Sequence, residues 1–140
     1  MKILLAVDGS SFTQKMLAYL TAHGEMFGPH HEYTVLTVQP TLPPRARAAV
    51  GKEIVDGFYT DEAEKVIAPV AKFLTEHQLV AKSEWKVGHV GETIASFADA
   101  GKFDLIVMGS HGHGSFGNLV MGSVATQVLS HSQVPVLLVR

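Results

Sequence analysis

Apolar residues fall into two patterns along this chain: short unbroken runs, and longer stretches where they recur every three or four positions. Ile3-Leu4-Leu5-Ala6-Val7 is the first run, continuous as in a strand covered on both faces. Asp8-Gly9-Ser10-Ser11 then offers a turn and a helix cap, and Met16, Leu17 and Leu20 follow helical spacing toward Phe27. Tyr33 to Val38 reads as a second strand, rich in β-branched residues. A segment with Pro40, Pro43, Pro44, Arg45, Arg47, Gly51 and Gly57 follows, expected to be the longest irregular stretch and the most mobile.

Tyr59, Ala63, Val66, Ile67, Val70, Phe73 and Leu74 fall at i, i+4, i+7, i+8, i+11, i+14 and i+15. This predicts an amphipathic helix, with Pro69 as its discordant residue and a kink there. Ser83 to Val87 is a third strand, polar enough to sit near an edge, and Val90, Ile94, Phe97 and Ala98 mark a short helix closed by Gly101. Leu105 to Met108, Val124 to Leu129 and Val134 to Val139 read as a fourth strand, a last helix and a fifth strand. Five strands alternating with four helices predict a single α/β domain over residues 1–140, a mostly parallel sheet with helices on both faces. Right-handed crossovers follow; strand order does not.

Chemistry concentrates near the end. The apolar run Asp104 to Met108 leads into Gly109-Ser110-His111-Gly112, and after nine further residues Gly122-Ser123 opens the last helix. A main chain approaches a phosphate closely only where Cβ atoms are missing and N–H groups converge. A helix start adds unpaired donors and the positive end of its dipole. Strand, glycine-rich loop and helix start together make an anion site, and a nucleotide suits it best. The loop contains no lysine and no Gly-x4-Gly-Lys-Ser/Thr, so it is not a P-loop of the NTPase kind.

Composition narrows the classes. With 140 residues and 46% hydrophobic content the chain can fill a core, and a net charge of −2 provides no basic field for nucleic acid or an anionic membrane. There are no cysteines, which excludes disulfides and thiolate metal sites. The stretch Ile3 to Val7 is too short for a signal peptide, and no run reaches the length of a membrane span, so a cytoplasmic protein is expected.

Val7-Asp8-Gly9-Ser10, the spacing Gly-x2-Gly-x9-Gly-Ser from Gly109 to Ser123, and Val134-Pro135-Val136-Leu137-Leu138-Val139 carry a resemblance. On these the chain, from Lys2 to Arg140, resembles the universal stress protein family, and its glycine spacing resembles the ATP-binding branch. The resemblance implies a Rossmann-like sheet of order 3-2-1-4-5, with the switch point between the first and fourth strands. Ligands then sit at the carboxyl ends of those strands, where Asp8 and Gly109 would meet. It implies an ATP site formed by Ala6, Val7, Asp8, Val38, Met108, Gly109, Gly112, His113, Gly114, Gly122, Ser123, Val124 and Ala125. Phosphate contacts would come from the N–H groups of Gly112 through Gly114, of Ser123 and of Val124, and from the Ser123 hydroxyl. Asp8 would bond the ribose or base, and the Val38 main chain would hold the adenine.

Each assignment has a plainer rival. The glycines could form an ordinary surface loop, Asp8 could cap the first helix, and Val38 packs in a core on either reading. Members of the family often carry Arg or Lys in the loop, where this chain has His113 and Asn118. Gly122→Val is expected to place bulk against the phosphates and abolish ATP binding while leaving a dimer intact.

The eight histidines suggest a metal, but His30-His31 and His111-x-His113 lack a companion ligand set at the right spacing. A Mg or Mn ion held mainly by the triphosphate is the expectation. His111-Gly112-His113-Gly114 departs from the His-x-Gly-His signature of nucleotidyl transferases, and Ser110 beside His111 has no nucleophile elbow. Val134, Val136, Leu137, Leu138 and Val139 would be a hazard at a bare sheet edge, and the resemblance implies a homodimer through that strand. The resulting expectation is an ATP-binding stress-response protein acting through nucleotide state or partner binding. A slow ATPase or phosphotransferase and a nucleotide-free dimeric interaction module are its rivals.

Overall fold

The structure is a computed structural model, and it describes residues 1–113 and 120–140. Five strands lie in one sheet: β1 (Lys2–Ala6), β2 (Glu32–Gln39), β3 (Ala81–Val87), β4 (Leu105–Gly109) and β5 (Val136–Val139). The order is β3-β2-β1-β4-β5, with every neighbouring pair parallel. The helices are α1 (Ser11–Ala22), α2 (Pro44–Val50), α3 (Lys52–Glu76), α4 (Val90–Ala100) and α5 (Ser123–His131).

The unbroken apolar runs are explained by layers on both faces. Because successive strand residues point to opposite sides, Ile3, Leu5, Val35 and Val107 meet Met16, Leu17 and Leu20 of α1 and Val70 and Leu74 of α3. Leu4, Ala6, Leu36, Ile106 and Met108 meet Ile94 and Ala98 of α4 and Ala125 and Val128 of α5. Leu4, Leu5 and Ile106 are wholly buried, each contributing roughly 1.5–3 kcal/mol relative to exposure. Among the described residues β3 pairs only with β2, and it exposes most of its own residues, as its polar sequence predicts.

The segment after β2 departs from expectation. It is not an irregular stretch: α2 occupies Pro44–Val50, and α3 begins at Lys52, seven residues before Tyr59. Pro44 stands in the first turn of α2, where its missing N–H is harmless. Gly51, at φ +86°, separates the two helices in a conformation natural to glycine. α3 also runs unbroken through Pro69, although that residue has no N–H to give the Lys65 carbonyl. The Tyr59 hydroxyl accepts a hydrogen bond from the Leu42 N–H at 2.8 Å and ties the helix to the segment leaving β2.

Candidate functional site

At the carboxyl ends of β1 and β4 the chain diverges to opposite faces: α1 follows β1 and α5 follows β4. The gap between them is a crevice of about 620 Å3, within the range of small-molecule sites. Ala6, Val7, Asp8, Val38, Met108 and Gly109 line it from the strand ends. Gly112, His113, Gly122, Ser123, Val124 and Ala125 line it from the loop and α5. The remaining candidate, Gly114, lies outside the described residues, as do Gly117 and Asn118.

Asp8 has two roles in this arrangement. Its Oδ1 accepts the Ser10 N–H at 2.9 Å and the Thr13 hydroxyl at 3.0 Å, while Thr13 Oγ1 accepts the Asp8 N–H at 3.1 Å. That closed set shapes the turn into α1, so the local structural role is real. Ser10 is the N-cap residue, yet its hydroxyl makes no cap bond and is buried without a hydrogen-bond partner among the described residues. The other carboxylate oxygen, Oδ2, faces Gly112: a Cβ built on Gly112 would lie 2.5 Å from it. The loop after β4 thus reaches the end of β1 only because position 112 has no side chain.

Two more contacts fix the loop. The His113 Nε2–H donates to the Asp8 carbonyl at 2.9 Å, and the Gly122 N–H donates to the Ser110 carbonyl at 2.7 Å. A Cβ on Gly122 would stand 3.1 Å from His111 Cα and 3.3 Å from the Ser110 carbonyl oxygen. Bulk at Gly122 would therefore press on the loop's own main chain.

Gly122 is also the N-cap of α5 and has no side chain to cap with. The first intrahelical bond is Thr126 N–H to the Gly122 carbonyl, so the amides of Ser123, Val124 and Ala125 have no intrahelical acceptor. All three residues line the crevice. Unpaired amides and the positive end of a helix dipole therefore meet in one cleft, an arrangement suited to negatively charged oxygen atoms.

Several lining residues had no signal in the sequence: Thr13, Thr37, Gln39 and, from α3, Glu62, Lys65 and Val66. They come from three separate elements, and only the folded topology brings them to the crevice. Val90 and Ile94 of α4 add an apolar wall beside Val38 and Met108.

Ser110 is buried and pairs with His111, Oγ to Nδ1, at 2.8 Å; its hydroxyl belongs to the core side of the loop and not to the crevice wall. His31 uses both ring nitrogens locally, Nε2–H donating to the Met26 carbonyl and Nδ1 accepting from the amino terminus. Among the described residues no group of three or more His, Asp or Glu is arranged to hold a metal. No helix among them is long and apolar enough to cross a membrane.

Comparison with known proteins agrees with this architecture. The model of the universal stress protein family matches residues 1–140. The chain is 36% identical to a universal stress protein of Synechocystis sp. over 99% of its own length, and it spans 42% of that protein. It is 33% identical to a universal stress protein of Thermus aquaticus, covering 99% of this chain and 97% of that one. The structure superposes on protein MJ0577 of Methanocaldococcus jannaschii with a TM-score of 0.82 at 27% identity, covering 99% of this chain and 94% of the other.

Two more distant likenesses concern the fold alone. A family member from Arabidopsis thaliana with AMP bound gives a TM-score of 0.67 at 13% identity, covering 99% and 91% of the two chains. A universal stress protein in complex with cAMP gives 0.63 at 21%, covering 100% and 97%. With a matching family model along its whole length and a relative matched almost end to end, the chain belongs to the universal stress protein family.

Proposed function

We propose that the crevice binds ATP and that the protein acts in stress response through its nucleotide-bound state. One observation carries this reading: helix-start amides, glycines at 112 and 122 and the Asp8 carboxylate meet in one crevice at the switch point of the sheet. The fit is chemical. The amides of Ser123 and Val124 serve the phosphates, with those of Gly112 and Gly114 and the Ser123 hydroxyl assigned beside them. A carboxylate beside phosphate would repel it, so Asp8 serves the ribose hydroxyls or the base, and the main chain at Val38 holds the adenine against Met108 and Ile94. Relatives of the same fold with AMP or cAMP bound support an adenine nucleotide as the ligand. When present, a Mg or Mn ion would lean on the phosphate oxygens and retain most of its water.

On this reading the nucleotide is a ligand and not a substrate. The Nε2–H of His113 is already spent on the Asp8 carbonyl, and His111 Nδ1 is engaged by Ser110, so both rings are held in structural contacts. The test is acid extraction of the purified protein, followed by thermal unfolding with added ATP. Adenine absorbance in the extract or a midpoint raised by about 9 °C at a hundredfold excess over Kd is expected. An empty extract with no shift would refute the reading and favour a nucleotide-free interaction module. Single-turnover release of phosphate would favour the ATPase instead.

A further inference from the structure

We propose that Lys65, on α3, is the side-chain cation that meets the phosphate chain, passing to it from Glu62. The inference rests on the nucleotide reading and specifies how the site answers the ligand's charge. From Gly109 to Ser123 the chain contains no lysine or arginine. Among the described residues lining the crevice, Lys65 is the only one of either type, and two carboxylates, Asp8 and Glu62, line it as well. A polyphosphate entering a site with two carboxylates requires a compensating positive charge. The neutral amides of α5 supply only part of it.

Lys65 is placed and paired to supply the rest. Its Nζ donates to Glu62 Oε1 at 3.0 Å, one turn back on the same helix. The lysine side chain is 71% exposed and that of Glu62 36%, so the pair is weakly held and its exchange for another partner costs little. Phosphate oxygens carry more charge than one carboxylate and accept stronger, charge-assisted hydrogen bonds. The neighbouring Val66 fixes this turn of α3 in place: its Cγ2 would stand 3.4 Å from a Cβ on Gly9, beside Asp8. The stem of Lys65 therefore starts from a packed point at the crevice mouth and keeps a flexible reach.

Calorimetric titration of the whole protein with ATP, AMP and adenosine tests this, using wild type, Lys65→Gln and Glu62→Gln. Lys65→Gln is expected to weaken ATP roughly 5- to 10-fold, AMP less, and adenosine not at all. Glu62→Gln removes the competitor and a repulsive charge, so it tightens ATP. Both positions are on an exposed helix surface, and unchanged thermal midpoints confirm intact folding. If Lys65→Gln binds ATP as wild type does, or weakens all three ligands equally, the assignment is overturned. It is overturned equally if Glu62→Gln weakens ATP as much as Lys65→Gln. Wild-type protein that takes up none of the three ligands sinks the nucleotide reading and this inference with it.

Discussion

Asp8 and Gly112 constrain each other across the crevice. The carboxylate cannot simply rotate away from a new side chain at 112, because its Oδ1 holds the Ser10 N–H and the Thr13 hydroxyl. Gly112→Ala forces either that set or the loop to move, since the added Cβ would stand 2.5 Å from Oδ2. Nucleotide affinity should fall at least tenfold, with stability lowered by roughly 1–2 kcal/mol. A double-mutant cycle with Asp8→Ala checks the cause: the double variant should be more stable than the sum of the single losses implies. Strict additivity would show that the two positions do not collide.

Tyr33 is a second residue with a definite signature. Its hydroxyl donates to the Gly28 carbonyl at 2.9 Å, and burial pushes the phenol from 10.0 up to about 12. The unfolded chain releases this proton near pH 10 and the folded chain near pH 12. Between those values the native state holds the extra proton, so stability falls as pH rises; below pH 10 the group contributes no slope. From pH 9 to 11.5 the wild type should lose about 2 kcal/mol more than Tyr33→Phe, read by denaturant unfolding at each pH. Equal losses would remove Tyr33 as the cause.

At the scale of elements, legibility follows burial. β1 and β4 are covered on both faces and announce themselves as continuous apolar runs, and α3 is readable from Tyr59 onward because Tyr59, Ala63, Ile67, Val70 and Leu74 are buried. Its first turns were not readable. From Lys52 to Phe58 only Val55 is buried, and α2 buries nothing at all. With no apolar face to mark a period, the prolines and glycines there point to a loop, although Pro44 in a first turn and Gly51 between helices are compatible with both elements. The site divides in the same way. Its glycines and Asp8 lie next to strand ends and could be placed from the sequence. Glu62 and Lys65 are ordinary surface charges of a long helix until the crossover lays that helix over β2, where they reach the crevice.

For the whole molecule, we expect the open edge at β5 to direct assembly. Among the described residues β5 pairs only with β4, and its Val136, Leu137 and Leu138 are half-buried beneath the protein's own helices. The Ile106 N–H bonds the Pro135 carbonyl and the Ser110 N–H bonds the Val139 carbonyl. In a parallel ladder, alternate residues then turn inward, so 135, 137 and 139 serve β4 while Val136 and Leu138 present their main-chain groups to the outside. We expect two copies to satisfy these groups by joining β5 to β5 about a two-fold axis. Sedimentation of the wild type should give a dimer at micromolar concentration. Val136→Pro removes one outward N–H without touching a residue that bonds β4, so it should shift the protein toward monomer while lowering the thermal midpoint by only a few degrees. A dimer that survives the substitution would place the interface elsewhere, and a monomeric wild type would leave β5 protected by Pro135 and its short length alone.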